Sequence, residues 1–153
     1  MKKSKLFSWI LVIIWMAFIY FLSSQPASES IILSGSITNR LYNLVILIFS
    51  NIEIDIFHLF IRKSAHFIIY LILGILLMNA TYKNNNLYFK NILIALLASI
   101  LYAVTDEIHQ LFVLGRAGQL IDVFIDTTGS IVGVFIFNVL HKITFHRRKK
   151  YEN

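Results

Sequence analysis

The sequence predicts an all-α integral membrane protein, a small bundle of four transmembrane helices with an amphipathic helix on its outer face. Three observations carry that expectation. The chain is 58% hydrophobic and 14% charged, with a mean hydropathy of +0.73. A soluble domain runs nearer roughly 45–50% apolar and about 25% charged, so polar side chains are too few here to cover a water-facing surface. The apolar residues gather into four long runs. Most of the 14 Lys and Arg residues flank those runs, which ties the net charge of +6 to membrane topology and not to nucleic acid. One Pro and six Gly exclude collagen-like or low-complexity chains, and 13 Phe exclude a disordered tail. The absence of Cys excludes a disulfide framework, a thiolate nucleophile and Cys-ligated zinc.

The elements follow in order within a single domain over 1–153. Run 6–22 carries no charge and is just long enough for a bilayer core of about 30 Å at about 1.5 Å per residue. It is expected to stay as a membrane helix: its apolar stretch exceeds that of a cleaved signal, and Ser23-Ser24-Gln25-Pro26 offers no A-x-A site. Between 37 and 61, Ile37, Leu41, Leu44, Val45, Ile48 and Ile52 recur near helical spacing, with Asn39, Arg40 and Asn43 on the other side. That pattern predicts an amphipathic helix on the outer leaflet, either touching lipid or roofing the bundle. The second span is expected over 62–80, extendable backward through 54–61, and the third over 91–114, interrupted only by Asp106, Glu107 and His109. The fourth, over 120–140, holds Asp122 and Asp126. Asn84-Asn85-Asn86 reads as a polar turn, and a basic tail occupies 141–153.

Basic residues orient the chain. With the N-terminus inside, Lys2, Lys3, Lys5, Lys83, Lys90, Lys142, Arg147, Arg148, Lys149 and Lys150 are cytoplasmic. Arg40, Arg62, Lys63 and Arg116 then lie outside. That bias predicts four spans with both termini cytoplasmic.

The intramembrane polar residues then collect at one side. Lys63, His66, Tyr70 and Gly74 share a face of the second helix. Ser99, Tyr102, Asp106, His109 or Gln110, and Val113 form a stripe on the third. Asp122, Asp126, Gly129 and Gly133 form one on the fourth, where Gly129-x-x-x-Gly133 permits close helix contact. All the ionisable groups fall within roughly 10 Å of the outer interface. Carboxylates facing lipid would cost at least about 2.5–3.5 kcal/mol each near the bilayer centre, so they are expected to face one another and Arg62, Lys63 and Arg116. Such a cluster is either a ligand site or an ion-pair network that holds short helices together.

These blocks also form an ordered set: Phe21-Leu22-Ser23-Ser24-Gln25-Pro26, then Arg62-Lys63-x-x-His66-Phe67-x-x-Tyr70-x-x-x-Gly74. Thr105-Asp106-Glu107-x-His109-Gln110-x-Phe112, Gly115-Arg116 and Asp122-x-x-x-Asp126-x-x-Gly129-x-x-x-Gly133 follow. Taken together they resemble the VanZ-like family of bacterial membrane proteins over nearly the whole chain. The chain departs from the family's pattern at Ile69, where an acid is frequent, at Leu114, where Pro is frequent, and at Asp126, where Asn is common. The resemblance implies a protein of the bacterial cytoplasmic membrane associated with low-level resistance to teicoplanin-type lipoglycopeptides; it implies no particular reaction.

Three function classes follow. In the first, an outer cleft binds a membrane lipid, a lipid-linked envelope precursor or a lipoglycopeptide antibiotic. Its wall would comprise Arg62, Lys63, His66, Tyr70, Asp106, Glu107, His109, Gln110, Arg116, Asp122 and Asp126. In the second, a membrane enzyme acts on a lipid-linked substrate, with His66 or His109 as base and Asp106 or Glu107 as acid. A metal variant of that enzyme would use Asp106 and His109 at i, i+3, with His66 and Asp122 or Asp126. Ser64 and His66 face different ways on one helix and make no nucleophile pair. The third class, an ion pathway, is disfavoured because no ionisable residue continues into the inner halves. Binding without a cofactor or nucleic acid is the favoured expectation; the sequence carries no signal for oligomeric state.

Overall fold

The structure is a computed structural model that describes residues 2–26, 35, 38–45, 47, 53–82 and 88–152, with side chains from 5 to 144. Four long helices dominate: α1 (Lys2–Ser23), α2 (Ile54–Thr81), α3 (Tyr88–Gln110) and α4 (Leu120–Glu152). Residues 38–45 form a further short helical stretch, and the described residues contain no strand. All four long helices contain a stretch apolar and long enough to cross a bilayer, which fits a multi-pass membrane protein. At about 1.5 Å per residue the 33-residue α4 is roughly 50 Å long, so its last turns run beyond a 30 Å hydrocarbon core.

The helices alternate in direction, so the end of α1, the start of α2, the end of α3 and the start of α4 share one end of the bundle. Contacts between elements fix this. At that polar end Ser24 meets His109, and the Arg116 guanidinium donates to the carbonyls of Leu22 (3.2 Å) and Gln25 (2.8 Å). At the opposite end Asn79 donates to Ser8 (3.2 Å), and the ring of Tyr82 packs on Phe137 and His141.

The α2–α4 pair forms the spine. A Cβ at Gly129 would fall on the backbone carbonyl of Phe67, one at Gly133 on that of Leu71, and one at Gly74 on that of Ser130. The small-residue stripe read from the sequence therefore does what its spacing permits: two backbones meet with no side chain between them. Beside that contact Ser130 hydrogen-bonds both Ser99 of α3 and the Tyr70 carbonyl, closing the bundle where three helices converge. Val12, Tyr70, Leu73, Leu77, Met78, Ala95, Ala103 and Val134 make the buried apolar core. Ile13, Phe21, Ile68, Leu101, Phe124 and Phe135 point outward, as side chains in lipid do.

Helix boundaries depart from the sequence reading at two places. α2 begins at Ile54 and not at 62, because nothing between Glu53 and Thr81 breaks the helix and Asp55 sits favourably in its first turn. The segment expected as one amphipathic helix over 37–61 is therefore divided. Residues 38–45 are helical, 54–61 are the opening turns of α2, and Ile37, Ile48 and Ile52 lie outside the described residues, as does the expected turn at 84–86. α3 ends at Gln110 and not at 114. The N–H groups of Leu111, Phe112 and Val113 bond three residues back, and Gly115 takes the left-handed conformation (φ 74°) that turns the chain toward α4.

Candidate functional site

The polar end holds an open cavity of about 610 Å³. Its apolar wall includes Ile19 and Leu22 of α1 and Leu59, Ile61 and Ile69 of α2. Its polar wall combines Arg62, His66 and Tyr70 with Asp106, Gln110 and Arg116, and Thr38 closes it from the short helical stretch. The size and the pairing of apolar walls with a few convergent polar groups are those of a small-molecule pocket.

The sequence cluster is thereby split into two layers and one residue outside both. Arg62, His66, Tyr70, Asp106, Gln110 and Arg116 line the cavity. Behind them Lys63, Glu107, Asp122 and Asp126 sit between helices. His109 belongs to neither layer. Its ring stacks on Tyr20 with centroids 4.5 Å apart, and its Nε2 lies 3.1 Å from the Ser24 hydroxyl, so it fastens α3 to α1. The Asp106–His109 pair suggested by i, i+3 spacing therefore does not converge on one point.

The second layer is built from neighbouring helix ends. Lys63 donates to Gln119 (3.0 Å) and pairs with Asp122, whose carboxylate is fully buried in the first turn of α4. That turn is where free N–H groups and the helix dipole favour a negative charge. Glu107 accepts the backbone N–H of Gln119 (2.7 Å), which ties the end of α3 to the start of α4. One turn deeper, His66 Nδ1 lies 3.3 Å from Asp126 Oδ1. Gln110, fully buried, donates to Asp106 (3.4 Å) and Glu107 (3.3 Å), which places its amide between the two layers.

Outside the spans, burial lowers the Arg116 guanidinium from its ordinary value, and the nearby Arg62 pushes in the same direction. Two cations thus share the cavity rim. Arg62 is exposed on the α2 surface, while Arg116 is drawn down against the end of α1.

Several cavity residues escaped the sequence reading. Asp55 and His58 line it because α2 starts early. Ser23 and Gln25, noted as part of an ordered motif, prove to be wall residues, and the carbonyl of Gln25 holds Arg116. An unbroken helical pattern through 54–61 was the available signal for the first pair.

A family model described as VanZ/LLP1 matches residues 7–141, nearly the whole chain and all four spans. No curated protein and no solved structure gives a match.

Proposed function

The chain belongs to the VanZ/LLP1 family, and from that premise we propose that it binds a lipid-tailed molecule bearing a phosphate or similar polar head. The protein sits in the bacterial cytoplasmic membrane, with both termini cytoplasmic and the cavity on the outer face, as the basic residues imply. The observation that carries this reading is the 610 Å³ cavity, in which apolar side chains of α1 and α2 meet Arg62, His66, Asp106 and Arg116. An apolar tail is accommodated by Ile19, Leu59 and Ile69, a phosphate by Arg62, and hydroxyls or amines by Asp106. Phospholipids and lipid-linked cell-wall precursors present all of this chemistry, and a lipoglycopeptide antibiotic presents the tail and the hydroxyls, with a carboxylate in place of the phosphate. Occupation of the cavity by one of them would link the protein to the weak teicoplanin resistance that its family resemblance implies.

Titration of the nanodisc-embedded protein with a fluorescent lipid-linked precursor, and separately with a fluorescent lipoglycopeptide, tests the reading. Saturable binding is expected for at least one. Arg62→Ala should weaken it by about 1.5–3 kcal/mol, the worth of a hydrogen bond to a charged group, or roughly tenfold and more. Non-saturable partitioning, equal for wild type and Arg62→Ala, would refute it.

A further inference from the structure

His66 of α2, Glu107 of α3 and Asp126 of α4 come from three helices, yet each brings one ligand atom within 4.8 Å of the other two. Glu107 and Asp126 are buried, and His66, alone of the three, lines the cavity. Asp126 is fully withdrawn from solvent, and neither of its oxygens receives a well-formed hydrogen bond from the described residues. Asp106 Oδ1, on the adjoining turn of α3, is likewise buried, with the Ser23 hydroxyl nearby.

The charge count sharpens the point. Four carboxylates, Asp106, Glu107, Asp122 and Asp126, lie buried at this end of the bundle. Lys63 is committed to Asp122. Glu107 is met by the neutral Gln110 amide and the Gln119 N–H, and among the described residues Asp126 has the imidazole of His66 as its ion-pair partner. Arg62 and Arg116 stand at the cavity rim, and burying the carboxylates between helices favours a further compensating charge beside them, a proton or a metal ion.

We infer that His66, Glu107 and Asp126 bind a divalent transition-metal ion, with an open coordination position toward the cavity. One imidazole nitrogen and two carboxylate oxygens suit zinc, manganese or ferrous iron better than magnesium or calcium, which take oxygen ligands. Ligands on one tetrahedral ion at about 2.0–2.2 Å lie roughly 3.4 Å apart, close to the 3.3 Å between His66 Nδ1 and Asp126 Oδ1. A Glu107 carboxylate oxygen lies within 4.8 Å of both and would have to move closer to complete the set. Three protein ligands leave a fourth position for water or an anionic group of a cavity ligand, the arrangement of an open metal site. This set differs from the Asp106–His109 pair suggested by sequence spacing, since His109 is held against α1.

The test uses metal alone and stands whether or not the cavity binds a lipid. Protein purified into nanodiscs without chelator is assayed for bound metal, then stripped and titrated with Mn²⁺ and Co²⁺, followed by magnetic resonance and visible absorption. One saturable site per chain is expected, with an imidazole nitrogen signature. Glu107→Gln and His66→Gln should each weaken it at least tenfold, and metal should raise the thermal midpoint of wild type but not of Glu107→Gln. Asp126→Asn serves as a third variant, read only if it remains folded. Failure of folded wild type to bind either ion would overturn the inference and leave a protonated cluster; binding unchanged in both Glu107→Gln and His66→Gln would overturn it too.

Discussion

Lys63 of α2 and Asp122 of α4 form an ion pair whose carboxylate is fully buried and whose ammonium side chain is 18% exposed. The pair lies at the polar end of the same interface that Gly129 and Gly133 bring to backbone contact, so charge and close packing hold the same two helices. Removing one partner strands the other, at a cost of about 3–5 kcal/mol when the pair is buried. Asp122→Asn should therefore lower the thermal midpoint in detergent sharply. Lys63→Met combined with Asp122→Leu should recover much of the loss, because the pair is replaced without an orphan charge. Asp106→Asn should leave stability much nearer wild type, since Gln110 holds that carboxylate at the cavity wall and no ion pair is broken.

The glycine contact admits a sharper substitution. Gly133→Ala places a methyl group on the Leu71 carbonyl, and backbone cannot swing aside as a flexible side chain can. A loss of about 1–3 kcal/mol is expected from overpacking, read as a lower thermal midpoint with intact membrane insertion. An unchanged midpoint would mean that α2 and α4 are spaced more widely than described.

These two contacts also mark how far the sequence could be read. Four spans, their order and the collection of charged groups at one end follow from run lengths and helical phase, because each depends on neighbours along the chain. Gly129-x-x-x-Gly133 and Gly74 were legible as a small-residue stripe for the same reason. The division of the polar cluster into cavity wall, interhelical layer and α1 tether was not. It depends on rotations between helices that spacing does not encode, so His109 and Gln110, both candidates for one stripe, part to different neighbours. Nor does spacing show that Trp15 donates to the Ile69 carbonyl (3.0 Å) inside the bundle, as its indole N–H needs an acceptor once the ring is half-buried.

His66 and His109 part as well, and their separation yields a kinetic distinction. His66 touches the cavity and His109 does not. His66→Gln should alter ligand affinity, while His109→Gln should act through stability by loosening α3 from α1. If the protein were an enzyme with His66 as base, His66→Gln would cut turnover by about 10²–10⁴ with ligand still bound. Mass spectrometry of a lipid-linked precursor incubated with wild type is expected to show no new product. A processed lipid that disappears in the His66 variant would make the protein a catalyst.

Orientation is open to a simple chemical test, because the chain has no Cys of its own. A single Cys at Ala117, in the exposed turn between α3 and α4, should react with an impermeant thiol reagent in intact cells. A Cys at Glu152, at the end of α4, should react only after the membrane is opened. The reverse pattern would place the cavity on the cytoplasmic side and remove the outer-leaflet ligand reading.

The occupant of the cavity can be seen directly. An experimental structure of the protein in nanodiscs, solved with a phosphate-bearing lipid-linked precursor present, should show one ligand in the 610 Å³ space. Its phosphate is expected within about 2.7–2.9 Å of the Arg62 guanidinium, the length of a charge-assisted hydrogen bond, with its chain against Ile19, Leu59 and Ile69. Density for the precursor confined to the lipid-facing surfaces of the helices, with the cavity holding only water or collapsed side chains, would contradict the binding function.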